Sequence, residues 1–186
     1  LNSKEVAYFR DELEAFEKRE GRLLSSMSNQ VRAKTHLLFP WMYDLIRLPV
    51  VLDTVESLIG PNILVYHVTC WIKEPGDQAY VSWHQDGTYF FLEPAEHVTA
   101  WIALSDSSAV SGCLQVLPGS HCYGALAHKK GETEGNLLSN GQYVDGIDWT
   151  QAELLQVPSG QFTLHHTHLV HSSKPNRSTD RRIGIG

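Results

Sequence analysis

Apolar side chains near the start of the chain recur every three or four residues. Val6, Phe9, Leu13 and Phe16 are spaced +3, +4, +3, and this period predicts an amphipathic helix over residues 3–20. Asn2 followed by Glu5 reads as a capping pair, and Gly21 reads as a stop. A short helix is expected after Pro40, over 41–47. Pro49 opens another, with Val51, Leu52, Val55, Leu58 and Ile59 as its stripe and Gly60-Pro61 as its end.

Beyond Pro61 the period falls to two. Residues 63–72, 80–83, 98–104, 114–117, 154–157 and 161–170 are rich in β-branched and aromatic side chains. Pro75-Gly76-Asp77, Glu93-Pro94, Ser111-Gly112, Pro118-Gly119 and Pro158-Ser159-Gly160 punctuate them. Pro118-Gly119 suits the centre of a type II turn. Helices followed by many short strands predict an α+β, mainly β architecture, a sandwich or barrel with the helices packed outside. Residues 121–152 are rich in Gly, Asn and charge, and a connection of that length reads as a lid or binding loop.

The chain has 186 residues, 42% hydrophobic and 19% charged, which fits one domain with a real core: helical over 1–60, strands over 61–186. Formal net charge is −6 without a Lys/Arg run, so nucleic acid is not an expected partner. No apolar run approaches the roughly 20 residues that span a bilayer. No signal peptide opens the chain, which begins on a helix already under way. Cys70, Cys113 and Cys122 are odd in number and lack a C-x-x-C pair. They read as three buried thiols in a reducing, cytoplasmic setting.

Candidate chemistry begins with V-S-W-H-Q-D-G-T-Y-F at 81–90. If residues 80–86 are a strand, His84 and Asp86 share one face and Trp83 and Gln85 the other. A third ligand could come from L-H-H-T-H-L-V-H at 164–171. Alternation there pairs His166 with His168, and His165 with His171. Two imidazoles and one carboxylate make the facial set of non-haem Fe(II) oxygenases, which leaves positions open for a cosubstrate and dioxygen. A structural zinc site would close its positions instead.

W-H-Q-D at 83–86, V-T-A-W-I-A-L at 98–104, S-G-C-L-Q-V-L-P-G-S-H at 111–121 and H-S-S-K-P-N-R-S-T-D-R-R at 171–182 occur in that order. With them the sequence resembles the phytanoyl-CoA dioxygenase family of Fe(II)- and 2-oxoglutarate-dependent oxygenases. The resemblance implies a double-stranded β-helix, a jelly-roll barrel with the iron inside one end. It selects His171 among the four histidines, so that His84, Asp86 and His171 form the triad. It places the anchor for the far carboxylate of 2-oxoglutarate eleven residues on, at Arg182 rather than Arg181 or Arg177. It also implies cosubstrate contacts by Thr69, Gln85, Trp101 and Ser173. Gln85 needs a twist or bulge to turn inward. The family's opening strand is missing before the first helix, and the chain stops at Gly186, so a fragment with exposed sheet edges is expected.

The implied reaction couples oxidative decarboxylation of 2-oxoglutarate by O2, giving succinate and CO2, to hydroxylation of a C–H bond. Related halogenases carry a small residue where this chain has Asp86, so hydroxylation is expected. The alternatives are an inactive barrel that binds a metal or small ligand, and a metal-dependent hydrolase or isomerase on a similar barrel with no need of Arg182. Lys34, His36, Tyr89 and Asn136 are the candidate substrate contacts, for a small polar metabolite. His121 reads as loop packing, and His165, His166 and His168 as packing or as partners of the ligands.

Overall fold

The computed structural model describes residues 1–186. Helix α1 spans Ser3–Glu20. The Asn2 side-chain oxygen accepts from the backbone N–H groups of Lys4 (2.9 Å) and Glu5 (3.0 Å), and the Glu5 carboxylate accepts from the Asn2 N–H (2.8 Å). Gly21 closes the helix at φ 67°, a left-handed conformation that costs glycine little. Phe9, Leu13 and, unforeseen, Glu17 are its buried residues. Helices α2 (Asn29–Arg32), α3 (Pro40–Ile46) and α4 (Pro49–Ile59) follow, the last two with proline in the first turn.

Strands β1 (Cys70–Lys73), β2 (Val81–His84), β3 (Val98–Ala103) and β4 (Leu114–Val116) come next, with the short helix α5 (Gly87–Phe90) between β2 and β3. The rest are β5 (His128–Lys129), β6 (Tyr143–Val144), β7 (Glu153–Leu155), β8 (Phe162–His166), β9 (His171–Ser173) and β10 (Arg182–Ile185). They form two antiparallel four-stranded sheets, ordered β1-β10-β3-β8 and β2-β9-β4-β7, and a separate β5-β6 ladder.

Alternation along β1, β3 and β10 separates two cores. Cys70, Ile72, Ile102, Ile183 and Ile185 face the helices and join Phe9, Leu13, Met42, Leu45 and Val51 in one cluster. The intervening positions face the second sheet, where Trp101 and Ala103 meet Leu114 and Val157. Lys73 and Arg182, partners in register across β1 and β10, point the same way and are both buried. Gly184 lies between them and the end of β10, with Trp101 against the place a Cβ would occupy.

Several expected strands are shorter. Of residues 63–72 only Cys70 onward is strand, in β1; Thr69 before it makes an isolated bridge to Ala33, and residues 63–68 follow the helices outside any strand. β2 ends at His84, and Asp86 adopts φ −58°, ψ −37°, the entry to α5. The stretch 161–170 stops at His166, turns, and resumes in the other sheet at His171. Face counting across that turn therefore does not carry over, because the chain changes sheets. Cys122 is exposed, unlike Cys70 and Cys113, and lies on the single turn that follows Gly119. Gly119 itself has φ 78°, as a type II turn requires.

The segment 121–152 is tied along β2 rather than open. Asn136 donates to the Ser82 hydroxyl (3.0 Å), Ser82 donates to the Gln142 carbonyl (2.6 Å), and Trp149 stacks on Trp83 with centroids 4.8 Å apart. No helix is long and apolar enough to cross a membrane.

Candidate metal centre

His84 is the last residue of β2, His171 is the first of β9, and the two are register partners. The pairing shifts between Val81 and His84, and this irregularity twists the strand end before the chain turns into α5. Asp86 reaches the same point from that turn. One nitrogen or oxygen from each of His84, Asp86 and His171 can be chosen so that all lie within 4.8 Å of one another. The Nε2 atoms of His84 and His171 stand 3.4 and 3.6 Å from Asp86 Oδ1.

Each of the two rings turns its Nδ1 to a backbone carbonyl, that of Ser82 for His84 and of Leu169 for His171, both at 2.9 Å. A carbonyl only accepts, so Nδ1 carries the proton and Nε2 is the nitrogen presented to Asp86. Burial and the neighbouring His84 ring push His171 down to about 3, although Asp86 pulls the other way. Its Nε2 is thus a bare lone pair. Burial opposes the charge of Asp86, yet the surrounding imidazoles, His171 foremost, hold its carboxyl well below the usual range. A lone pair and an ionised carboxylate in contact range fit a cation between them, and a two-His, one-carboxylate set fits Fe(II).

Asp86 is held from behind. Thr99 Oγ1 donates to its Oδ2 (2.6 Å), and His165 Nε2 lies 3.2 Å from the same oxygen. His165 thus partners a ligand, as one of the sequence readings allowed, despite sitting in the sheet opposite His171. Thr99 was missed; its only signal was alternation with Trp101.

Trp101, Ser173 and Arg182 line a small inner pocket together with the three metal-ligand candidates. Arg182 is 1% exposed. Its Nε and Nη1 have no hydrogen-bond partner, and its guanidinium lies 5.4 Å from the Trp101 ring. Burial draws it down to about 10, so it stays charged at neutral pH. Arg181, one residue earlier, points to the helices and is bound by Glu17 and Glu74.

Gln85 is buried but not aimed at this pocket. Its amide donates to the carbonyls of Gly124 (2.9 Å) and His168 (2.7 Å) and accepts from the Leu126 N–H (2.8 Å). Thr69 lies instead on a larger cavity, where its backbone pairs with Gly186.

That cavity, about 520 Å³, opens on His84 and Asp86. Lys34 and Tyr89 line it; His36 and Asn136 do not. Hydrophobic residues make up 21 of its 32 lining residues, many from α4 and from residues 63–68. The sequence pattern assigns those side chains to a core stripe and a strand, so the reading of a small polar metabolite takes no account of them. His67 and His97, which belonged to no motif, also line it.

The phytanoyl-CoA dioxygenase (PhyH) family model matches residues 1–184. The chain is 33% identical over 172 residues to a probable alpha-ketoglutarate-dependent hypophosphite dioxygenase of Stutzerimonas stutzeri, covering 90% of this chain and 58% of that protein. It is 31% identical over 144 residues to the human peroxisomal phytanoyl-CoA dioxygenase, covering 74% and 42%. The chain spans about half the length of these curated relatives. Among solved structures, the non-heme monooxygenase ThoJ in its apo form superposes with a TM-score of 0.83 at 26% identity, covering 100% of this chain and 68% of that one. EctD from S. alaskensis, solved with 2-oxoglutarate and 5-hydroxyectoine, gives 0.73 at 15% identity, over 100% and 67%, a likeness of fold.

Proposed function

The chain belongs to the phytanoyl-CoA dioxygenase (PhyH) family, and on that premise we propose that it is an Fe(II)- and 2-oxoglutarate-dependent dioxygenase that hydroxylates a C–H bond of a small molecule. The two sheets are read as the double-stranded β-helix of a single domain over 1–186, working in a reducing compartment such as the cytoplasm. The carrying observation is the pairing of the His84–Asp86–His171 donor set with a buried arginine that has unpartnered N–H groups in the same pocket.

His84, Asp86 and His171 would hold Fe(II), which supplies dioxygen binding and redox chemistry. Arg182 would take the far carboxylate of 2-oxoglutarate with its guanidinium fork, against the wall formed by Trp101. Thr99 and His165 hold the Asp86 carboxylate in place through its Oδ2, as outer partners of a ligand do. The net reaction consumes 2-oxoglutarate and O2, releases succinate and CO2, and leaves one oxygen atom on the substrate as a hydroxyl. With Asp86 present, all three protein ligands are filled and hydroxylation is favoured over halogenation. The largely apolar cavity suits a substrate with an apolar body, with Lys34 and Tyr89 as polar contacts, and it shields the reacting end from water.

The test is anaerobic addition of Fe(II) and 2-oxoglutarate to the purified protein, reading the weak visible absorption of the chelate. A band in wild type, lost in Asp86→Ala and weakened in Arg182→Ala, is the expected result. No band in a folded protein would favour a binding barrel without turnover.

A further inference from the structure

Lys73 is fully buried, yet both its hydrogen bonds go to Ser173 and the backbone rather than to a carboxylate. It stands beside Arg182 in register across β1 and β10. From there it spans the gap between the sheets. Its Nζ donates to the Ser173 hydroxyl oxygen at 2.7 Å and to the Lys174 carbonyl at 2.5 Å. Burying an amine away from any anion is costly, so the position calls for a reason.

The reason lies in what the bond does to Ser173. A hydroxyl has one proton and two acceptor sites. With the Lys73 amine filling an acceptor site, the serine proton points elsewhere, and Ser173 lines the inner pocket with Arg182. Arg182 Nε and Nη1 are likewise unpartnered. The pocket therefore presents a hydroxyl and two guanidinium N–H groups. The amine keeps enough N–H groups for both of its bonds whether or not it is protonated, so the arrangement does not depend on the charge of Lys73.

We propose that Lys73 is a positioning residue for the cosubstrate: it fixes the Ser173 hydroxyl as a donor that shares the far carboxylate of 2-oxoglutarate with Arg182. This rests on the oxygenase reading above. Lys73 itself need not touch the cosubstrate.

The experiment is calorimetric titration of the anaerobic Fe(II)-loaded protein with 2-oxoglutarate and, separately, with 2-oxopentanoate, which keeps the keto-acid end but lacks the far carboxylate. Lys73→Met retains the length of the side chain and removes the donor. It should weaken 2-oxoglutarate binding about tenfold, the worth of one hydrogen bond to a charged group, and leave 2-oxopentanoate binding unchanged. Ser173→Ala should show the same selective loss, and the double variant should lose no more than either single one. Should Lys73→Met fail to fold, an unchanged 2-oxoglutarate affinity in Ser173→Ala still overturns the proposal. Unchanged 2-oxoglutarate affinity, or an equal loss for both keto acids, overturns the proposal. A wild type that binds neither keto acid overturns the oxygenase reading and this one with it.

Discussion

Arg181 supports a quantitative prediction because its surroundings are fully specified. Its Nη1 and Nη2 donate to the two Glu17 oxygens (2.8 and 2.7 Å), and its Nε and Nη2 donate to the two Glu74 oxygens, both at 2.9 Å. Glu17 also accepts from the Leu24 N–H (2.8 Å), and Glu74 accepts from the Ser25 hydroxyl (2.6 Å). One guanidinium thus ties α1, the turn after it and the end of β1 to the start of β10. Side-chain exposures of 14% for Arg181, 7% for Glu17 and 22% for Glu74 place the cluster largely out of water. Although burial acts against its charge, the two carboxylates raise the arginine's affinity for its proton above the ordinary range. Arg181→Leu leaves two carboxylates facing each other without a counter-ion. Breaking a buried pair from one side costs about 3–5 kcal/mol, a large share of a typical stability of about 5–15 kcal/mol. For a chain of this size that corresponds to a fall in Tm of roughly 6–20 °C. Urea denaturation at pH 7 measures the first quantity and a thermal scan the second. Replacing Glu17 and Glu74 by Gln in the same variant should recover part of the loss, since the uncompensated charges are then gone. A loss below about 1 kcal/mol would refute the reasoning and rank the cluster with ordinary surface pairs.

Three further outcomes follow from the site. His165→Ala should weaken Fe(II) binding about 10–100-fold while the three candidate ligands stay intact, measured by anaerobic metal titration; unchanged affinity would remove His165 from any role in orienting Asp86. Gly184→Ala drives a methyl into the Trp101 ring, so it should cost about 1–3 kcal/mol and shift the tryptophan fluorescence; a neutral result would mean that the sheet yields there. Lys73 is drawn down to about 6 by burial first and by Arg182 second, with Asp77 and Cys113 pulling it up. Between its folded value and the ordinary lysine value of 10.5 the unfolded chain binds more protons, so this residue makes stability rise with pH, by at most about 1.4 kcal/mol per unit, and fall as pH drops toward 6. The difference in unfolding free energy between wild type and Lys73→Met, followed from pH 6 to 9, should carry that slope; a flat difference would refute the depressed pKa.

The sequence alone determined those features whose causes lie within a few residues. The capping box at Asn2 and Glu5, the stop at Gly21, the proline-opened helices and the Pro118-Gly119 turn depend on local dihedral and hydrogen-bond preferences, and all are present. The period-2 segments located β1 to β4, β7 and β8 to within a few residues, except over 63–69, while β5, β6, β9 and β10 lie outside them. The motif set named the three residues that the fold brings together at one point.

Tertiary structure decided the rest, because alternation constrains faces only while the chain stays in one strand. Asp86 leaves β2 before it reaches the site, so its approach comes from a turn and not from strand geometry. Gln85 is buried like a site residue but spends its amide on the backbone of the following loop. His165 and His171 meet across two sheets, with ring centroids 4.7 Å apart, which no count along the chain could supply. Adjacent arginines part company at β10, one drawn to Glu17 and Glu74 and the other left unpartnered inside, because the partners come from residues more than a hundred positions away. Only the packing of one sheet on the other buries Lys73, at the end of β1, against Ser173.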